Sequence, residues 1–120
     1  MYEAKGMVSI VDAAYLRRYL RIDDTSEDLF LEELGRSATE NLEHRLKRHI
    51  IARGEDDSDA VCSDKADVPA ALRVWVGACV AFAYANRESD SEKSFKSTPF
   101  FERMIDPWRA YKGSNLYPDN

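Results

Sequence analysis

The segment from Pro69 to Asn86, PAALRVWVGACVAFAYAN, holds one charge, Arg73, in eighteen residues. At helical spacing Leu72, Trp75, Val76, Cys79, Val80 and Ala83 form one apolar stripe. Val74, Ala78, Phe82 and Ala85 form a second stripe on another face. A helix apolar on nearly every side needs cover from a large protein or a membrane. The chain has 120 residues, and a single domain of that length builds only a modest core. A membrane span wants about 20 apolar residues, more than this run supplies, and Arg73 interrupts it. What remains is a helix with two partners: the chain's own core on one stripe and a neighbouring surface on the other. The expectation is an assembly subunit rather than a solitary enzyme.

The rest of the pattern is helical. A first helix is expected from Val11 to Leu20, with Ser9 as N-cap and Asp12 three residues later. After the acidic turn RIDDTSED, capped at Thr25 or Ser26, a long helix is expected from Glu27 to His49. Phe30, Leu34, Ala38, Leu42, Leu46 and Ile50 give it an apolar stripe, and Glu32–Arg36 and Glu43–Lys47 are acid-to-base pairs at i, i+4. Residues 51–68 read as an acidic linker, with six acids against two bases. Pro69 suits the first position of the apolar helix. Residues 87–98 read as a polar arm. Thr98 and Pro99 cap and open a short helix ending at Ile105, and residues 110–120 form a flexible tail. Only Met7–Val11 and Arg48–Ala52 look extended. The fold class is all-α: one small domain over 1–120, three main helices, a short C-terminal helix and a flexible arm. Leu34, Leu42, Leu72, Trp75, Val76 and Cys79 are the candidate core. Val74, Ala78, Phe82, Phe95, Phe100, Phe101 and Trp108 are the candidate surface for another subunit or partner.

Chemistry is scarce. Cys62 and Cys79 lack CxxC spacing and nearby histidines, so no zinc site is expected. Asp23 and Asp24 match no calcium loop, and the five glycines make no phosphate-binding loop. His44 and His49 fall on different helix faces, and no nucleophile stands at useful spacing from either. No catalytic residue, cofactor or metal is assigned. The net charge of −5 opposes general nucleic-acid binding. Gly77 interrupts a good helix at some cost, which suits either the close approach of another backbone or an unfilled position. Arg17, Arg18, Arg21, Arg45, Lys47 and Arg48 are candidate phosphate contacts, which keeps a small helical DNA-binding regulator as the alternative. Against it, Glu27 and Asp28 stand where a recognition helix would meet phosphates. The start, MYEAKGM, shows no signal-peptide pattern.

The order of elements is itself informative. Leu20-Arg21-Ile22-Asp23 closes the first helix, Pro69 to Leu72 opens the apolar one, Asn86-Arg87-Glu88 closes it, and Pro107-Trp108-Arg109 follows the short helix. This order, over about residues 8–110, resembles the head-tail connector family of long-tailed bacteriophages and prophages, also called head-completion or adaptor proteins. The acidic GEDDSD run and the tail past Arg109 depart from the family pattern. The resemblance implies a non-enzymatic, mostly helical subunit of a homo-oligomeric ring in the virion neck. Its implied partners are the portal protein and a tail or head-closure protein. Packaged double-stranded DNA would pass through without sequence-specific binding. No membrane is implied, and assembly would take place in the bacterial host cytoplasm.

Overall fold

Asp12, rather than Ser9, starts the first helix. The computed structural model describes residues 9–54, 59–86 and 97–109. Helix α1 spans Ala13–Leu20, and the Asp12 carboxylate accepts from the Tyr15 N–H at 2.8 Å. Ser9 closes a tight turn on Val11 instead, its hydroxyl accepting from the Val11 N–H and donating to the Val11 carbonyl. Ile10 and Val11 are buried in this bend ahead of the helix. The helix ends on a left-handed residue, Arg21, at φ 62°. The Ile22 N–H donates to the Arg17 carbonyl at 2.9 Å and the Arg21 N–H to that of Arg18 at 3.4 Å. This is a Schellman cap with arginine where glycine is usual. Ile22 then packs on the core.

Helix α2 spans Asp28–Leu46, shorter than its sequence pattern. Neither Thr25 nor Ser26 caps it. Glu27 holds the N-cap position, but its carboxylate does not cap the helix N–H groups, while the Asp24 carboxylate accepts from the Ser26 N–H and hydroxyl in the turn before. Its other end stops at Lys47, at φ 61°, three residues before Ile50. The cause is Glu43. Its carboxylate accepts from the Ile50 N–H at 2.9 Å and from Arg53 Nη2 at 2.6 Å, which turns the chain back across its own helix. Glu43 is therefore buried and paired with Arg53, not displayed on the surface opposite Lys47.

The acidic stretch is less of a linker than its composition suggests. Ile51 and Cys62 form a parallel bridge, supported by Val61 N–H to His49 carbonyl, Cys62 N–H to Ile50 carbonyl and Ala52 N–H to Cys62 carbonyl bonds. Ile50 and Val68 are buried. A 3-10 turn over Lys65–Asp67 leads into helix α3, Ala70–Ala85. Pro69 occupies its N-cap, one position earlier than the sequence suggests, and its carbonyl accepts from Leu72 and Arg73. Helix α4, Pro99–Ile105, is capped by the Thr98 hydroxyl, which accepts from the Phe101 N–H. Pro107 falls inside a closing 3-10 turn, Asp106–Trp108.

The fold is a small all-α domain. Helices α2 and α3 form its main pair, α1 packs on both, and α4 packs on α3. Two glycines set the close approaches. A side chain at Gly35 would meet Ser9 Oγ at 2.7 Å, so the N-terminal segment crosses α2 there. One at Gly77 would meet the Tyr19 ring at 2.6 Å. The cost of a glycine inside α3 is thus offset by an aromatic ring lying on the helix backbone. No helix among the described residues is long and apolar enough to cross a membrane.

Candidate functional site: the outer faces and the C-terminal latch

The two stripes of α3 have different surroundings. Leu72, Trp75 and Val76 are fully buried, and Cys79 is 9% exposed. Leu42 on α2 joins them at 0% exposure, whereas Leu34 sits half-buried at the core's edge. Val74, Ala78 and Phe82 are half-buried. Phe100 is 63% exposed, its ring meeting Phe101 edge-on at 5.5 Å. Phe101 and Trp108 pack against the core. Phe95, most of the polar arm and the 110–120 tail lie outside the described residues.

Burial raises the Cys79 thiol to about 11, with Arg45 pulling slightly the other way, and burial likewise raises Cys62. Neither thiol is a ready nucleophile at neutral pH, since reactivity needs the thiolate. Among the described residues no group of three or more His, Cys, Asp or Glu side chains could hold a metal ion.

Charge is concentrated where α4 meets α2 and α3. The Arg45 guanidinium lies 5.4 Å from the centre of the Trp75 ring and donates to Glu102 at 2.9 Å. Arg109 donates to Glu102 at 2.8 Å, to Asp106 at 2.9 Å and to the Arg45 carbonyl at 3.2 Å. Arg48 donates to the carbonyls of Asp59, Ala60 and Trp108. The Trp75 indole N–H donates to the Ser97 hydroxyl at 3.0 Å. Helix α4 has seven residues, too few to be stable alone. These contacts hold it in place.

Burial pushes the Glu102 carboxyl up. Hydrogen bonds from Ser97 and Arg109 and the charges of Arg45 and Arg109 outweigh it, and together hold the carboxyl below its ordinary value. The ionised form is the one that binds the arginines. Its contribution is complete above the ordinary carboxylate pKa and is lost as the pH falls through the lowered one. We expect urea midpoints of the wild type and Glu102→Gln to differ at pH 7 and to converge as the pH falls below the ordinary carboxylate range. A gap that persists at the lowest pH would remove this role from the carboxylate.

Arg17 donates to Asp28 at 2.9 Å, across the turn between α1 and α2. The Tyr84 hydroxyl donates to Glu27, joining the far ends of α3 and α2. On the opposite seam Tyr15 and Tyr19 stack with centroids 6.2 Å apart. Burial raises the Tyr15 phenol above its ordinary value and Tyr19 adds to this, while Arg73 and Arg18 pull it back.

The profile of the phage gp6-like head-tail connector proteins matches residues 14–109. The chain belongs to that family. Comparison with curated proteins and with solved structures gives no match. The connector's role is accordingly structural and non-enzymatic, in joining head to tail. The motif residues have local tasks in this fold. Leu20-Arg21-Ile22-Asp23 carries the left-handed cap that turns α1 towards α2. Pro69 follows the 3-10 turn as the N-cap of α3, and Asn86 closes the helix by donating from Nδ2 to the Phe82 carbonyl at 2.8 Å. Pro107-Trp108-Arg109 locks α4 through Arg109.

Sequence reasoning missed Gly35, Thr39 and Glu43. They recur every four residues on one face of α2 and receive the chain segments on either side. The Thr39 hydroxyl accepts from the Ile10 N–H at 3.2 Å and donates to the Gly35 carbonyl at 2.7 Å. Their spacing was the available signal, but the residues are glycine, polar and charged, and an apolar count passes over them.

Proposed function

We propose that this connector is one subunit of a homo-oligomeric ring in the phage neck. The ring is seated between the portal and the tail or head-closure protein, and it extends the channel for packaged double-stranded DNA. The observation that carries this reading is the match to the connector family across residues 14–109. The second stripe of α3 supports it, because Val74, Ala78 and Phe82 present half-buried apolar surface that another subunit or partner would cover. Exposed Phe100 and the outer sides of the half-buried Phe101 and Trp108 offer a further contact region at the C-terminal helix.

The DNA-regulator alternative loses several of its phosphate contacts. Arg17, Arg45 and Arg48 are engaged within the chain by Asp28, Glu102, Trp75 and three carbonyls. The ring passes DNA without gripping a sequence.

The test is electron microscopy of purified virions carrying a small label on this chain. The expected result is labelled density encircling the channel beneath the portal. Virions that lack the chain, or carry it away from the neck, would overturn the reading.

A further inference from the structure

Two surfaces of the subunit lie on opposite sides of α2, one offering acids and the other an arginine that make no ion pair among the described residues. Gly35 faces Ser9 and Leu16 and so marks the side on which α1 packs. Glu33 and Ser37 each stand two residues from Gly35, about 160° round the helix at 3.6 residues per turn. With Phe30, Leu34, Arg36 and Glu40 they line an open groove of about 410 Å³. Leu29, 82% exposed, precedes it in the chain. The groove is apolar at Phe30 and Leu34 and holds two acids against one base.

The α1 side presents aromatic and arginine side chains, with Asp12, Asp23 and Asp24 exposed at its two ends. Tyr19 is 38% exposed where its ring crosses α3 at Gly77. Arg18 and Arg21 are exposed beside it. Arg18 has no ion-pair partner among the described residues, and neither has Glu33 or Glu40. Val74 lies one turn from Gly77, so the second stripe of α3 borders this surface.

We infer that the occupant of the α2 groove is a second copy of this chain, which brings its Arg18–Tyr19 face against Glu33, Leu34 and Glu40. The pairing rests on the ring reading above and names the two faces that meet. A contact between different faces on opposite sides of one subunit is head-to-tail, the kind that closes into a ring when its rotation permits. Opposed charge fixes the register, and the aromatic and aliphatic groups supply the burial. The same charges across the seam make association weaken as salt rises.

Charge reversal tests the pairing, read by sedimentation velocity and native mass spectrometry of the full chain over a concentration series. Arg18→Glu and Glu33→Arg are each expected to weaken association tenfold or more without loss of helical circular dichroism. Arg18→Glu combined with Glu33→Arg in one chain is expected to restore it, and so is an equimolar mixture of the two single variants. Glu40→Gln, which removes a charge without reversing it, is expected to weaken association by a smaller factor. Wild-type rings that tolerate both reversals, or a double variant that stays as weak as the singles, would overturn the pairing and leave the ring reading standing. A wild-type chain that is monomeric throughout the series and also when mixed with portal rings would remove the ring reading, and the pairing with it.

Discussion

Trp75→Ala is expected to destabilise the subunit by about 3–5 kcal/mol, the range for deleting a large buried aromatic. Trp75 is fully buried and the largest side chain in the core. A domain of this size has only about 5–15 kcal/mol in hand, so the loss is a large fraction of the whole. More than packing is involved. The indole N–H holds Ser97, next to the Thr98 cap of α4, and the ring face holds Arg45, which in turn binds Glu102 on α4. Losing Trp75 should therefore loosen α4 as well as hollow the α2–α3 seam. Trp75→Phe separates the two effects, because it keeps most of the ring and removes the hydrogen bond, at about 0.5–1.5 kcal/mol plus some lost volume. In either variant Trp108 is the remaining tryptophan of two, and its emission reports on the C-terminal turn. Urea unfolding followed by circular dichroism gives the stability. A loss below about 1 kcal/mol in Trp75→Ala would mean that the α2–α3 seam is not the centre of the core.

Helix existence was legible in the sequence because apolar spacing at the helical period agrees over α1, α2, α3 and α4, although of the expected caps only Thr98 holds. The all-α class follows from that agreement. Ends were less legible. Ser9 and Asp12 are both good caps, and only the position of Val11, buried in the segment ahead of α1, decides between them. The stop of α2 at Lys47 depends on a carboxylate reaching forward seven residues to the Ile50 N–H, a contact that no local rule contains. The apolar stripe of α2 also proved only part of its buried face, since Leu31, Gly35, Thr39 and Glu43 are buried beside Ala38, Leu42 and Leu46. Buried polar residues escape a hydrophobic count because each is tolerated only through a specific partner. Neither reading of Gly77 holds as stated: the position is filled, and what approaches it is the Tyr19 ring rather than another backbone. The C-terminal latch was visible only as a motif. Proline, tryptophan and arginine were noted, but the partners of Arg109 are Glu102, Asp106 and a carbonyl 64 residues away, which tertiary structure alone brings together.

Glu43→Ala is the second substitution with a large expected effect. Glu43 is 3% exposed and joins α2 to the segment that follows it. Removal strands the Ile50 N–H, which is buried, at a cost of about 1–3 kcal/mol for an unsatisfied donor. It also breaks the ion pair between Glu43 and Arg53, whose side chain is 24% exposed. Breaking a buried pair from one side costs about 3–5 kcal/mol, and the partial exposure of Arg53 places this case below that range. A total near 2–4 kcal/mol follows from the two contributions. The isosteric Glu43→Gln keeps an oxygen to accept from Ile50 and gives up only the charge, so it should lose clearly less. Chemical denaturation of both variants would measure the difference. Hydrogen exchange would localise it: the Ile50, Val61 and Cys62 amides should lose protection together in Glu43→Ala, because the bridge between Ile51 and Cys62 starts from the turn that Glu43 fixes. If Glu43→Ala matched the wild type, or if those three amides kept their protection while the global stability fell, the turn would be held by the Ile51–Cys62 bridge itself and the carboxylate would be incidental.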